Sequence, residues 1–493
     1  MSAVASPVQM RPLTRTTPRP SRLAGPSAVA GGRLRIVGDP LHMMLFVVTV
    51  LTMSRVHQHY PVLATFRPVL LLVGASAAYA YLNPRYLTRT NVLTLWPMRL
   101  IAVLGVLACA SAVFGISLGA SARFILDTYT KTIVYAFLIA MSIRGVRDLY
   151  TFVWAYVISC GILVYFSLFV FGISRAGGGY SARLDHLYTY DSNDLGVVMV
   201  SGLALTLLLL SVARGRQRWF LLLNLIGILA TMARSGSRGG FLGLLIVGAA
   251  GLVLVKSVSP ARRISLLAVA VLALAIGAPP GYWQQMTTLL SPKEDYNYST
   301  RDGRKAVAER GLGYMRKYPL FGLGINNFPR AECTISPKLH GLDKSGPIRC
   351  TPPHNSYIQA GSELGAPGLI LWTSLVMGGI VALLRNRRRL PPSWRRGTDS
   401  QRFLHAATTF FPLALIGFAV TSFFVSFAWM DPLYLISALI SGWYVSVRGQ
   451  ILPPSGAHAA ASTSGLDART PGWRVMQSAQ RLVVPRPVPR TSE

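Results

Sequence analysis

The chain has 493 residues, and its 49 Lys and Arg residues against 17 Asp and Glu give a formal net charge of +32. Hydrophobic residues make up 52% and charged residues only 13%, about half the charged share of a soluble domain. A nucleic-acid-binding protein would need its basic excess on one solvated face, whereas these Arg clusters stand between long apolar runs. The composition excludes that class and predicts a polytopic membrane protein.

Twelve apolar windows of about 20 residues predict an all-α membrane protein with about twelve transmembrane helices. These helices cover residues 39–54, 62–82, 98–119, 125–143, 149–173, 194–213, 219–233, 239–256, 264–280, 364–384, 403–426 and 430–447. Helices 1–9 occupy residues 39–280, and helices 10–12 occupy 363–447. One large extracytoplasmic loop, 281–362, separates them. The ends, 1–38 and 448–493, are predicted to be disordered basic tails.

The distribution of Lys and Arg predicts how the helices are oriented. With the N-terminus in the cytoplasm, every inner segment is basic, and the inner side carries +25 against +7 outside. Cytoplasmic loops of membrane proteins carry such an excess. Both tails are therefore expected in the cytoplasm and the large loop outside. Cys333 and Cys350 lie in that loop, on the oxidising side, where the sequence allows either a disulfide or two free thiols.

Two segments on the predicted outer side carry Arg residues, although Lys and Arg are expected mainly on the cytoplasmic side. In residues 234–240, Arg234 and Arg238 would share a face if helical, and small residues leave backbone N–H groups open to an anion. A lipid diphosphate suits them; Arg side chains reaching lipid headgroups are the alternative. Arg301 and Arg304 precede an amphipathic helix and a Pro-Leu-Phe-Gly-Leu-Gly turn. They fit either a phosphate clamp or a solvated surface.

The segment Pro-Pro-His-Asn-Ser-Tyr leads into the tenth helix, with Asn355 or Ser356 as the predicted N-cap. Ser356, Gln359 and Glu363 follow at i, i+3 and i+7, so they share one helical face. His354 stands at the helix N-terminus, where the helix dipole lowers a His pKa and favours the neutral form. It is a candidate general base for a sugar hydroxyl, with a structural hydrogen bond as the alternative.

In their order along the chain, these three motifs resemble the O-antigen ligase and polymerase superfamily. The similarity covers roughly residues 190–380 and includes the large outer loop between two late helices. Members of that superfamily transfer a glycan from undecaprenyl diphosphate to an acceptor hydroxyl at the periplasmic face, without a metal. By motif, Arg238 matches the Arg of the Ser-Arg-Gly turn, Arg304 the Arg before the Pro-Leu-Phe-Gly turn, and His354 the His of the large-loop motif.

The resemblance implies a metal-independent inverting glycosyltransferase of surface polysaccharide biosynthesis, without a cofactor, in the bacterial inner membrane. His354 is the expected catalytic base and Glu363 the reserve base. The residues expected to bind the diphosphate are Arg234, Arg238, Arg301 and Arg304. The expected partners are the undecaprenyl diphosphate-linked glycan, a glycan or lipid acceptor, the membrane and other polysaccharide assembly proteins, but no nucleic acid.

Two questions stay open at the level of the sequence. A ligase and a polymerase of this superfamily share the same motifs, so the acceptor is undetermined. From another class, a twelve-helix transporter or flippase of lipid-linked glycan is the alternative. Such proteins often show repeated halves and place ionisable residues near the bilayer midplane. Here no repeat is evident, and the ionisable residues gather at helix ends.

Overall fold

The computed structural model describes residues 33–174, 183–185, 190–256, 258–291, 302–339 and 349–451. In this part of the chain, the helices are α1 Pro40–Ser54, α2 Pro61–Thr65, α3 Pro68–Leu82, α4 Trp96–Phe114, α5 Leu118–Phe124, α6 Thr130–Ser142, α7 Val146–Tyr165, α8 Ser192–Leu210, α9 Arg216–Ser235, α10 Arg238–Leu254, α11 Pro260–Gly277, α12 Tyr282–Thr287, α13 Arg304–Lys317, α14 Phe328–Thr334, α15 Ser356–Arg387, α16 Asp399–Thr421 and α17 Asp431–Ile451.

Shorter elements connect or extend these helices. Single π-helical turns follow α5 and α7, at Ile125–Tyr129 and Phe166–Val170. Short 3₁₀ turns occur at Val56–His59, Pro84–Tyr86, Val92–Thr94, Pro337–Leu339, Pro392–Arg395 and Ser422–Phe424. Two strands of two residues each, β1 Ile173–Ser174 and β2 Arg183–Leu184, pair antiparallel just before α8. This small hairpin is an exception to the all-α prediction.

Six helical segments in the described residues are long and apolar enough to cross a membrane. They are Trp96–Phe114, Leu118–Ser142, Val146–Val170, Ser192–Leu210, Ser356–Arg387 and Asp399–Phe424. Three shorter helices, α1, α3 and α10, are also apolar. The prediction of a helical polytopic membrane protein is therefore confirmed. A helix of 15 residues, such as α1 or α3, is only about 22 Å long, which is shorter than the hydrocarbon core of a bilayer.

The helix boundaries differ from the sequence prediction at several places, for example where the fourth predicted helix begins at Leu118 instead of residue 125. The second predicted helix is interrupted between α2 and α3, where Arg67 has a φ of 47° and Pro68 starts a new helix. A proline disfavours a helical conformation of the residue before it. The tenth helix begins at Ser356, eight residues earlier than predicted, and the last ends at Ile451 instead of residue 447. The predicted tails lie mostly outside the described residues.

α8 and α16 form the centre of the bundle, and both are largely buried. α10 approaches them closely because small residues line the contact: a Cβ on Gly196 of α8 would lie 3.2 Å from the Cα of Gly240 in α10. Such contacts let membrane helices approach backbone to backbone. α11 lies at the periphery and leaves Ile264, Leu266 and Val269 exposed, as expected of a helix facing lipid.

α15 is broken near its start, and a segment of the loop between α11 and α15 fills the break. Gly365 has non-helical angles, with a φ of 73°, and Pro367 has no N–H to donate to the carbonyl of Glu363. The backbone N–H groups of Leu323 and Gly324 donate instead to the carbonyls of residues 362 and 363, at 2.8 and 3.1 Å. The Pro-Leu-Phe-Gly-Leu-Gly motif, residues 319–324, therefore supplies the hydrogen-bond donors that the broken helix lacks, and we call it the plug.

Replacing Gly365 by Ala tests this arrangement. The new Cβ would lie 2.5 Å from the carbonyl oxygen of Pro319, and a positive φ costs an L-residue about 1–2 kcal/mol. We expect the variant to unfold at a clearly lower temperature in detergent. Gly74→Ala in α3 is the control, because a Cβ there meets nothing within 4 Å. Equal unfolding temperatures of the two variants would contradict the plug.

Candidate active site

The Ser-Arg-Gly-Gly motif forms the turn between α9 and α10. α9 ends before Gly236, which has a left-handed backbone with a φ of 57°. The hydroxyl of Ser237 accepts a hydrogen bond from the N–H of Gly240 at 3.1 Å and caps α10. Because the helix breaks at Gly236, Arg234 and Arg238 belong to different helices. The prediction that Arg234 and Arg238 share one face of a continuous helix is therefore wrong.

The two Arg side chains of this turn reach different neighbours. Arg234 donates from Nη1 to the carbonyl oxygen of Leu168 at 2.9 Å, in the π-helical turn after α7. Arg238, the first residue of α10, donates from Nη1 to Oγ1 of Thr288 at 2.8 Å, just after α12. Arg238 is thus held toward the long loop, defined here as residues 278–355, whereas Arg234 is turned toward α7.

Phe424 joins this turn to the second motif. A Cβ on Gly239 would lie 2.7 Å from Cγ of Phe424, so only glycine lets this ring pack on the first turn of α10. The guanidinium carbon of Arg304, the first residue of α13, lies 5.8 Å from the centre of the same ring, within cation–π range. The positive ends of two helices, with Arg238 and Arg304, therefore meet at one aromatic ring. Two such helix ends favour an anion.

Phe424 belongs to the loop between α16 and α17, residues 422–430, and His354 lies beside this loop. Its backbone has a φ of 46°, and its N–H donates to Oγ of Ser426 at 2.9 Å. Burial is the main cause that lowers the pKa of His354 from its ordinary value of 6.5; the charge of Arg304 lowers it further, and the carboxylate of Asp191 acts against both. The imidazole is therefore neutral at neutral pH and able to accept a proton.

The polar stripe at the start of α15 is confirmed, and it binds the α16–α17 loop. Asn355 caps the helix, and its side chain accepts from two backbone N–H groups. Ser356 donates to the carbonyl of residue 425 at 2.8 Å and accepts from the N–H of residue 427 at 2.9 Å. Gln359 accepts from the N–H of residue 428 at 3.0 Å. The stripe thus fixes the loop that carries Phe424 and Ser426.

Glu363, the expected reserve base, is fully buried and serves as an acceptor for three donors. Oε2 accepts from the indole of Trp429 at 2.6 Å and from the backbone N–H of Asn326 at 2.8 Å. Oε1 accepts from the N–H of Phe328 at 3.3 Å. Glu363 lies nine residues beyond His354, about 10 Å deeper along α15 at 1.5 Å per residue from the first helical position. Its contacts join the loop, the plug and α15.

A charged cluster in the long loop holds the segments that precede Arg304 and His354. The carboxylate of Glu332 pairs with Arg310 of α13 at 2.6 Å and with Lys338 at 3.2 Å. Lys338 also reaches Asp302 at 2.9 Å and the carbonyl of Arg349 at 2.7 Å. Burial alone would raise the pKa of Asp302, but Lys338 holds it below its ordinary value.

In the structure, a disulfide links Cys333 and Cys350, with their Cα atoms 5.1 Å apart.

Arg183 lies in the loop before the sixth predicted helix and was not assigned to the site from the sequence, yet it contacts the Ser-Arg-Gly-Gly turn. It donates from Nε to the carbonyl of Ser235 at 3.3 Å and from Nη2 to Oδ1 of Asn193 at 3.2 Å. The same oxygen of Asn193 accepts from the hydroxyl of Ser237 at 2.9 Å. The Arg-Leu of β2 carried no motif signal by itself. Arg301, expected at the site, lies outside the described residues.

The comparison with protein families agrees with this geometry. Residues 221–373 match the family model described as O-antigen ligase. Over this segment the chain is similar to the O-antigen ligase family. It runs from α9 through the long loop into α15 and contains all three motifs, so the recognition from the motifs is confirmed. The comparison with curated proteins gave no match. Members of the O-antigen ligase family are enzymes, and the match implies lipid-linked glycan transfer in surface polysaccharide biosynthesis.

Glu363→Gln separates a structural from a catalytic role of this carboxylate, which lies in the segment that matches the O-antigen ligase model. An amide cannot accept all three hydrogen bonds, and a buried donor left unpaired costs about 1–3 kcal/mol. We expect a lower unfolding temperature in detergent, with residual transfer activity by the folded fraction. Glu309→Gln, at an exposed position of α13, is the control. Loss of transfer with an unchanged unfolding temperature would instead support Glu363 as a base.

Proposed function

We propose that the protein transfers a glycan from undecaprenyl diphosphate to an acceptor hydroxyl at the periplasmic membrane face. One observation carries this proposal: Arg304 and the first turn of α10, which starts with Arg238, contact the same ring of Phe424, two residues from the Ser426 hydroxyl that binds the backbone of His354. The Arg residues proposed to bind the leaving diphosphate therefore lie near His354, the proposed neutral base.

The diphosphate is proposed to lie across the N-termini of α10 and α13. Arg238 and Arg304 would contact its oxygens through charge-assisted hydrogen bonds, which are among the strongest in proteins. Arg183 lies beside the same turn and would add a third cation. Arg301 remains a proposed member of this group. Arg234 is assigned a supporting role, because its contact with Leu168 directs it toward α7.

In the proposed step, Nε2 or Nδ1 of His354 accepts the proton of the acceptor hydroxyl, and the oxygen attacks the anomeric carbon. The new glycosidic bond forms as the bond between that carbon and the diphosphate oxygen breaks, so the configuration inverts. The leaving diphosphate keeps the electron pair, and the Arg residues offset its growing charge. Because diphosphate is a fair leaving group, positioning and charge stabilisation supply most of the rate.

We infer the membrane arrangement from the charge distribution. Twelve helices with both termini in the cytoplasm place the long loop and all three motifs on the periplasmic side. This orientation puts most of the Lys and Arg residues on the cytoplasmic side, as in other membrane proteins. A disulfide between Cys333 and Cys350 is compatible with that oxidising side. Ligase and polymerase remain alternatives that differ in the acceptor. After gene deletion, unattached lipid-linked polymer indicates a ligase, and single units still attached indicate a polymerase.

Substitutions at the proposed site should reduce transfer without unfolding the protein. His354→Ala should lower the rate about 10²–10⁴-fold, as for a general base, and Arg238→Gln or Arg304→Gln about 10²–10³-fold, as for a donor to a developing anion. The assay is transfer from undecaprenyl diphosphate-linked glycan by the full chain in proteoliposomes. Arg316→Gln, exposed on the same helix as Arg304, should retain activity. Full activity of His354→Ala would exclude it as the base.

The rate of transfer should also depend on pH through His354. Because its pKa lies below the ordinary 6.5, transfer should fall only when the pH drops through that lowered value and the imidazole becomes protonated. Asp191→Asn removes the charge that raises the pKa of His354 but keeps a residue able to cap α8, so the acid limb should move to lower pH. A limb that moves to higher pH, or stays in place, would contradict this assignment.

A further inference from the structure

The first turn of α13 carries Arg304, and its position depends on how this helix is held. α13 packs on α15 at Gly311, where a Cβ would collide with Ile358, and its last turn leads into the plug. Arg304 lies about 10 Å before Gly311 along the helix axis, so a tilt of about 10° at that point would move it by about 2 Å. A displacement of only about 1 Å can lower a rate about 10²-fold. Contacts near the first turn therefore matter for Arg304.

Lys338 connects this first turn to the segment that precedes His354. Its side chain is only 5% exposed, and its ammonium group contacts three acceptors. These are Oδ1 of Asp302 at 2.9 Å, the carbonyl oxygen of Arg349 at 2.7 Å and Oε2 of Glu332 at 3.2 Å. An ammonium group has three N–H donors, one for each acceptor. Because Asp302 precedes α13 and Arg349 precedes His354, Lys338 joins the two segments.

The disulfide between Cys333 and Cys350 makes a second connection between the same parts. Cys333 follows Glu332, whose carboxylate binds Arg310 of α13 at 2.6 Å, and Cys350 lies shortly before His354. The two cysteines are 17 residues apart in the chain, a length that could extend over as much as about 60 Å. The disulfide holds their Cα atoms 5.1 Å apart. It therefore ties the segment before His354 to α14, and Glu332 ties α14 to α13.

We propose that Lys338 and the disulfide between Cys333 and Cys350 position Arg304, so that the oxidised chain binds the donor diphosphate and the reduced chain binds it poorly. This inference rests on the proposed function, in which Arg304 contacts the diphosphate. Cys350 is exposed, so a soluble dithiol can reach the bond. On reduction the S–S bond breaks, two electrons and two protons pass from the dithiol to the cysteines, and the dithiol closes to its own disulfide.

The first measurement compares the oxidised and reduced full chain, already folded in proteoliposomes. Assay in dithiothreitol should raise the KM for undecaprenyl diphosphate-linked glycan and lower kcat/KM by about 10–10²-fold, as for a binding group displaced by about 1 Å. Reoxidation with oxidised glutathione should restore both values. The Ser pair, Cys333→Ser with Cys350→Ser, should start at the low value and not respond to dithiothreitol. Native kcat/KM of the reduced chain or of the Ser pair would overturn the inference.

Combined substitutions test whether the loss occurs through Arg304. A displaced Arg304 and an absent one should have the same effect, so in Arg304→Gln the Ser pair should change kcat/KM by no more than about twofold. In Arg238→Gln the Ser pair should keep its full effect. Equal losses in both backgrounds would indicate a general loss of structure and would overturn the inference. Native transfer by Arg304→Gln would contradict the proposed function as well, whereas slow Arg304→Gln with a fully active Ser pair would contradict the inference alone.

Lys338→Met should act in the same direction, because it removes the ammonium group that joins Asp302 to Arg349. We expect kcat/KM to fall about tenfold or more, and again to change little in Arg304→Gln. Lys317→Met, at an exposed position in the last turn of α13, is the matched control and should retain transfer. Equal transfer by the two Met variants would contradict the role of Lys338.

Discussion

The break in α15 is the constraint on which the candidate site depends. Gly365 and Pro367 leave the carbonyls of residues 362 and 363 without helical donors, and buried carbonyls need partners. The loop from Pro319 to Gly324 supplies those donors. This contact fixes the end of α13, and α13 in turn carries Arg304 at its start. These hydrogen bonds therefore help to fix where residues 302–339 of the long loop dock on the membrane helices.

The α16–α17 loop completes the same arrangement from the other side. Ser356, Gln359 and Glu363 bind its backbone or its Trp429 side chain, and the loop presents Phe424 and Ser426 to the Arg and His residues. The candidate site thus combines two helix N-termini, at least two cations and a His whose lowered pKa keeps it neutral. Positive charge that attracts a diphosphate also lowers the pKa of the base, so binding and proton acceptance depend on one electrostatic field.

The sequence predicted the helices well because long apolar runs dominate it, and the three motifs were recognised in their order. The face shared by Ser356, Gln359 and Glu363 followed from helical periodicity alone. Other features depend on tertiary contacts that no local pattern reveals. The break at Gly236 separates Arg234 from Arg238, and Arg183 approaches the turn only through the hairpin before α8. Phe424 had no signal of its own, since it looked like the apolar end of a membrane helix.

We propose that the Arg238 turn, Arg304 and His354 form one site for a lipid diphosphate. The most direct measurement is a cryo-electron microscopy structure of the full chain in nanodiscs with undecaprenyl diphosphate. We expect density for both phosphates within hydrogen-bonding distance of Arg238 and Arg304, on the side of Phe424 that faces His354. Phosphate density elsewhere, with these three residues open to solvent and without ligand, would contradict it.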